Sequence, residues 1–164
     1  MHLLISGIPA TGKTTFARWL VFEYAYLRCP SGEEPGSTFS AEIDQARQTS
    51  DNVVIDWGFS LARLDTVCSL IASGVEPWWF DGDREAAHQA FRARTEHSGT
   101  EADWHTQLRD IEQHWEELTT IFASHMLDVV AQGPGGPVHL SNDKRWELME
   151  RHRNAPRLGE SELV

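Results

Sequence analysis

Eight residues near the start of the chain carry the densest chemistry. Gly7-Ile8-Pro9-Ala10-Thr11-Gly12-Lys13-Thr14 matches G-x-x-x-x-G-K-[ST] at every fixed position. Glycines at Gly7 and Gly12 allow backbone conformations closed to residues with a Cβ. The amides of such a loop, Ile8 to Thr15, can then point at phosphate oxygens, helped by the free N–H groups of a following helix. Lys13 adds a mobile point charge for β- and γ-phosphates, and Thr14 offers a hydroxyl to Mg²⁺. The pattern predicts nucleotide binding and leaves the reaction open.

Three further groups could act beside that loop. Asp56 ends an apolar run, Val53-Val54-Ile55, where an open α/β sheet places its ligands, so it could hold Mg²⁺ or contact an acceptor. Trp57 follows it and could stack on a substrate ring. Asp44 and Arg47 stand three residues apart, on one side of a helical turn. Asp44 could take a proton from an attacking hydroxyl and Arg47 could clamp an anionic acceptor, although the same spacing suits a surface ion pair. Arg84, Arg92 and Arg94 share one expected helix leading into a polar segment at 97–103, a candidate lid. Closure would bring Arg94, or else Arg92, onto the transferring phosphate. The eight histidines show no ligand spacing. His97, His105 and His114 could gather near the lid, but Mg²⁺ prefers oxygen ligands.

These residues need elements to position them. An apolar run at 2–6 predicts a buried strand before the loop. Phe16, Leu20, Tyr24 and Leu27 fall at helical spacing and predict a helix over 13–27. Pro30, Gly32, Pro35 and Gly36 mark 29–38 as a loop. A short strand is expected over 38–43 and a helical turn over 44–48. A second clear strand is expected at 52–58, a helix over 61–73 stopped by Gly74, and a third strand at 75–80 with a turn at Asp81-Gly82. Asp83 is a plausible cap for a helix to about 95. A long helix, broken midway, is expected over 104–124. A last parallel strand at 126–131, a turn at 133–137, an edge strand at 138–140 and a helix capped by Ser141 follow. The tail from Arg153 is polar. Strands alternating with helices predict one α/β domain over 1–152 around a mainly parallel sheet of five strands, with the site at their carboxyl ends.

Composition narrows the partners. At 164 residues the chain has room for one domain with a substantial core. No apolar stretch approaches the ~18 residues of a membrane span, and a strand leading straight into the loop leaves no room for a signal peptide. Cys29 and Cys68 match no metal spacing, so the simple expectation is a cytoplasmic protein with free thiols. The net charge of −11 repels polyanions on average. Only Lys13 and Lys144 are lysines, and one of the two stands where the phosphate loop needs it.

The chain resembles the small P-loop kinases, in particular the AAA-type/zeta-toxin-like family that includes the kinase domain of phage polynucleotide kinase. There a phosphate loop, an Asp-x-x-Arg element and a strand ending in Asp follow in this order. The resemblance implies a P-loop NTPase sandwich with a short lid, and places the general base on Asp44, a substrate arginine on Arg47 and the second-strand acid on Asp56. Arg63 matches a position where many members carry an arginine. The activity it implies is an ATP- and Mg²⁺-dependent kinase moving the γ-phosphoryl group to a hydroxyl. A small-molecule acceptor suits the acidic chain. A polynucleotide 5′-hydroxyl kinase is the alternative, disfavoured by charge, and a non-transferring ATP-binding regulator is another.

Overall fold

The structure is a computed structural model and describes residues 1–30, 39–94 and 99–155. The glycine- and proline-rich stretch 31–38, residues 95–98, which include the first two of the expected lid, and the tail from 156 lie outside the described residues.

Five parallel strands and one antiparallel edge strand form a single sheet in the order β2-β3-β1-β4-β5-β6. The strands are β1 (His2–Gly7), β2 (Leu27–Pro30), β3 (Val53–Asp56), β4 (Glu76–Gly82), β5 (Met126–Gly133) and β6 (Gly136–His139). The helices are α1 (Lys13–Tyr24), α2 (Phe39–Thr49), α3 (Leu64–Ala72), α4 (Arg84–Arg92), α5 (Glu101–Gln113), α6 (Trp115–Phe122) and α7 (Asn142–Asn154). A 3-10 turn at Leu61–Arg63 leads into α3.

β1 is the centre because it is apolar on both faces, as a strand covered on both sides must be. Leu3 and Ile5 pack with Phe16, Leu20, Trp146 and Met149 of α1 and α7. Leu4 points the other way, into the larger cluster built on α2 to α6. From β1 the chain crosses to β2 on one side, then returns through β3 and passes to β4 on the other. The order therefore reverses at β1, and the crevice at its carboxyl end is where such a sheet binds ligands. No helix among the described residues is long and apolar enough to cross a membrane.

Several expectations hold. Asp83 caps α4 by accepting from the Ala86 amide, and Ser141 caps α7 by accepting from the Lys144 amide. The expected break in the long helix falls at His114. Other expectations are corrected. α1 stops at Tyr24, where Ala25 turns left-handed with φ 54°, and Leu27 opens a sixth strand instead of continuing the helix. The strand expected over 38–43 is the first half of α2, which buries Phe39, Ile43 and Ala46 at helical spacing. The turn expected at Asp81-Gly82 is the end of β4, with a register shift against β5. Within the expected lid, Thr100 and Asp103 form a reciprocal capping box, so α5 begins at Glu101, where the sequence predicts a loop to 103.

Candidate functional site

The phosphate loop is shaped by two local constraints. Gly7 has φ 138°, and a Cβ there would lie 2.0 Å from the Phe80 carbonyl oxygen, so the loop can leave β1 alongside β4 only at a glycine. Gly12 has φ 77° and hands the chain into α1. Between them the Thr11 hydroxyl donates to the Ile8 carbonyl at 2.8 Å and closes the loop from inside.

Lys13 folds back across this loop. Its Nζ donates to the carbonyls of Ile8 at 2.7 Å and Gly7 at 3.1 Å. Burial of the ammonium lowers its pKa to about 8; Asp56 opposes the shift, while Arg94 and Arg145 add to it. The residues that act on Lys13 thus come from β3, from the end of α4 and from α7. Thr14 and Thr15 are exposed at the start of α1.

A cleft of about 650 Å³ opens beside the loop, lined by Gly12, Thr15, Trp19, Arg94, His139 and Arg145 among others. Its volume lies in the usual range for small-ligand sites. Arg145 is 3 % exposed. Its Nε donates to the Leu140 carbonyl at 3.0 Å and its Nη1 to the Gly12 carbonyl at 3.2 Å, and the guanidinium lies 5.3 Å from the Phe80 ring centroid. Burial lowers its pKa to about 10. His139 Nε2 lies 2.8 Å from the Ala10 carbonyl oxygen. The β6 strand and α7 therefore brace the loop from the far end of the chain.

Arg94 reaches this cleft and Arg92 does not. Arg92 is the last residue of α4, and Arg94 lies two residues beyond it. Arg94 lines the cleft and is partly desolvated there. Arg92 is 65 % exposed and meets Glu101 at 3.5 Å.

On the other side of Lys13, Asp56 ends β3 buried and paired: Arg28 Nη2 donates to its Oδ2 at 2.7 Å. Arg28 was missed in the sequence because it stands in a four-residue edge strand. Arg63 follows on the 3-10 turn, 4.5 Å from the Phe39 ring centroid. Arg47 is not part of this group. It bonds His2 Nδ1 at 3.1 Å, Ser73 Oγ at 2.8 Å and the Ser73 carbonyl at 2.9 Å, at the amino end of β1, opposite the phosphate loop. Asp44 is exposed one turn before it on α2. Trp57 is fully buried, with its ring 5.7 Å from Phe59, and is a core residue instead of a stacking platform.

Magnesium would need oxygen ligands. The Thr14 hydroxyl at the helix start and the Asp56 carboxylate, which acts on the Lys13 charge, supply that donor type. Arg28 engages only Oδ2 of the carboxylate, so the set fits the ion.

No protein-family model matches the chain, and no curated protein matches its sequence. Solved structures do. A gluconokinase from Sinorhizobium meliloti 1021 superposes with a TM-score of 0.56 at 14% identity, over 93% of this chain and 91% of that one. Deoxyadenosine kinase from M. mycoides, with bound dATP, gives 0.52 at 11% identity over 94% of this chain and 100% of that one. The chain has the P-loop kinase fold. At these identities the likeness establishes the architecture, which agrees with the α/β sandwich expected from the sequence, with six strands in place of five.

Proposed function

We propose that this P-loop protein is a kinase that uses ATP with Mg²⁺ and transfers the γ-phosphoryl group to a hydroxyl of a small molecule. One observation carries the proposal: a complete phosphate loop whose Lys13 feels the charge of Arg94, 81 residues further on, stands beside a nucleotide-sized cleft that Arg94 lines. The small-molecule kinases with the same fold, gluconokinase and deoxyadenosine kinase, support it. Within P-loop kinases, the order of loop and strand-end acid favours the zeta-toxin-like group.

The loop N–H groups of Ile8 and of residues 10–15 cradle the β- and γ-phosphates, and Lys13 swings from its two loop carbonyls onto them. Thr14 and Asp56 would hold Mg²⁺, which neutralises phosphate charge when bound. The base and ribose occupy the cleft between Arg94 and the His139–Arg145 segment. Arg94 closes over the transferring group, where planar charge is most useful as charge spreads over the equatorial oxygens. The acceptor lies on the β2–β3 side, and its hydroxyl is oriented by the Arg28–Asp56 pair, with Arg63 beside it. Asp44 is exposed on a helix whose Arg47 is tethered at the opposite end of the sheet, so we assign it no proton. In a loose transition state the hydroxyl keeps its proton until late, and the transferred phosphoryl group receives it.

The test is ADP release measured against a panel of sugars, nucleosides and 5′-hydroxyl oligonucleotides. A single small-molecule class should stimulate ADP release and appear phosphorylated in the mass spectrum. Stimulation by oligonucleotides alone, falling steeply with salt, would replace the acceptor class. ADP release that no hydroxyl compound accelerates would leave a nucleotide-binding regulator.

A further inference from the structure

Outside the cleft, α4 and α5 bring together three side chains that the kinase reading does not use. His88 lies on the inner part of α4, and Glu101 and His105 stand one turn apart at the start of α5. The ligand atoms of all three lie within 4.8 Å of one another. His88 Nε2 contacts Glu101 Oε1, and His105 Nε2 lies 3.5 Å from that same oxygen.

A hydrogen-bonded histidine–carboxylate pair would explain His88 and Glu101 alone. His105, one turn beyond Glu101 on α5, adds a second imidazole whose ring meets His88 edge-on at 5.7 Å. That side chain is 68 % exposed and free to turn into solvent, yet its nitrogen faces the oxygen His88 already occupies. His88 is also pre-positioned. Its side chain is 16 % exposed, and its ring stacks on Trp104 at 4.8 Å with 12° between planes, which fixes where Nε2 points. The other described histidines are engaged elsewhere: His2 with Arg47, His114 with the Asp110 carbonyl, His139 with Ala10, and His125 and His152 with each other and Trp78.

The geometry points to a labile binding site for a zinc-class divalent cation on His88, Glu101 and His105, bridging α4 and α5. Two imidazoles and one carboxylate form a donor set that suits Zn²⁺ and its neighbours in the first transition row and not the hard, octahedral Mg²⁺. Three protein ligands leave a position for water, as in open zinc sites, and the exposure of Glu101 and His105 makes exchange with solvent easy. A bound ion would draw Glu101 away from Arg92, its 3.5 Å partner. It would tie together the two helices that flank residues 93–100, the stretch that carries Arg94. The site stands apart from the kinase reading and can be tested without any acceptor or nucleotide.

The full chain, stripped with chelator and free of nucleotide, is titrated with Co²⁺ followed by absorption and with Zn²⁺ followed by calorimetry. One equivalent should bind, with a visible Co²⁺ band displaced by Zn²⁺. His105→Ala, His88→Phe and Glu101→Gln should each weaken binding by about tenfold or more, since even outer-shell partners are worth that much. His125→Ala should leave it unchanged. His105 is exposed enough that its variant keeps the fold, and Zn²⁺ should raise the melting temperature of the wild type and not of His105→Ala. Absence of a Co²⁺ band, unchanged affinity in His105→Ala, or loss of binding in His125→Ala would overturn the site.

Discussion

Replacing Lys13 with methionine should make the empty protein more stable while removing its affinity for Mg·ATP. The reason is the cost of holding an ammonium in the loop with two further cations, Arg94 and Arg145, nearby. Burial, with those like charges, lowers the lysine from 10.5 to about 8. At 1.36 kcal/mol per pH unit, that displacement corresponds to about 3 kcal/mol favouring the neutral form. Water in the open cleft screens part of it, and the methionine leaves the Gly7 and Ile8 carbonyls to solvent, so a net gain of about 1–2 kcal/mol is expected at pH 7. For a chain of this size that is a rise of roughly 2–8 °C in melting temperature. The sign with pH follows from proton counting. Between pH 8 and 10.5 the unfolded chain holds more protons at this lysine than the folded one, so its contribution to stability rises with pH through that window. The cost is present in full below about pH 8. Urea unfolding followed by tryptophan fluorescence, on nucleotide-free wild type and Lys13→Met from pH 6 to 10, reads the difference curve. The variant's advantage should shrink above pH 8. A variant less stable than wild type at pH 7, or an advantage that does not change with pH, would refute the reasoning.

Arg94→Ala should slow phosphoryl transfer by roughly 100-fold or more with little change in ATP affinity, whereas Arg92→Ala should cost less than about fivefold, because it removes only an exposed pair; steady-state kinetics on both variants separates them. Gly7→Ala should lower stability by at least about 3 kcal/mol in urea unfolding, since the added methyl meets a backbone oxygen and has no side-chain neighbour to push aside. Arg47→Ala should lose about 1–2 kcal/mol of stability with its three hydrogen bonds and leave turnover intact; a fall in turnover without loss of stability would return Arg47 to the acceptor site.

The parts of the fold that were legible in the sequence are those whose signals are local. The phosphate loop, the caps at Asp83 and Ser141, and the break near His114 are written within a few residues of where they act. α2 was misread because Phe39, Ala41 and Ile43 alternate as a strand would, while the residues it buries, Phe39, Ile43 and Ala46, show their helical period only over a longer stretch. β2 was missed because its four residues end on a proline and follow a helix that stops at an alanine in left-handed conformation, which no composition rule anticipates. The site divides the same way. Lys13 and Asp56 are placed by the elements that carry them. Arg28 and Arg145 act through partners 28 and 133 residues away, and that pairing exists only once the sheet order is known. Arg47 shows the converse: a spacing that suits chemistry was used to fasten a helix to the amino end of the sheet.

The bracing of Gly12 by Arg145, and of Ala10 by His139, sets a timetable for the chain. The phosphate loop emerges before its supports, which follow their loop partners by 129 and 133 residues. A growing or truncated chain that ends before Arg145 has the complete loop sequence but lacks the guanidinium beneath Gly12, the imidazole on Ala10 and the far wall of the cleft. On the proposed reading, nucleotide is then a ligand that only a chain extended past Arg145 can grip. Its stabilising free energy, which grows with ligand concentration, would fall on chains that include Arg145 and favour them over shorter ones.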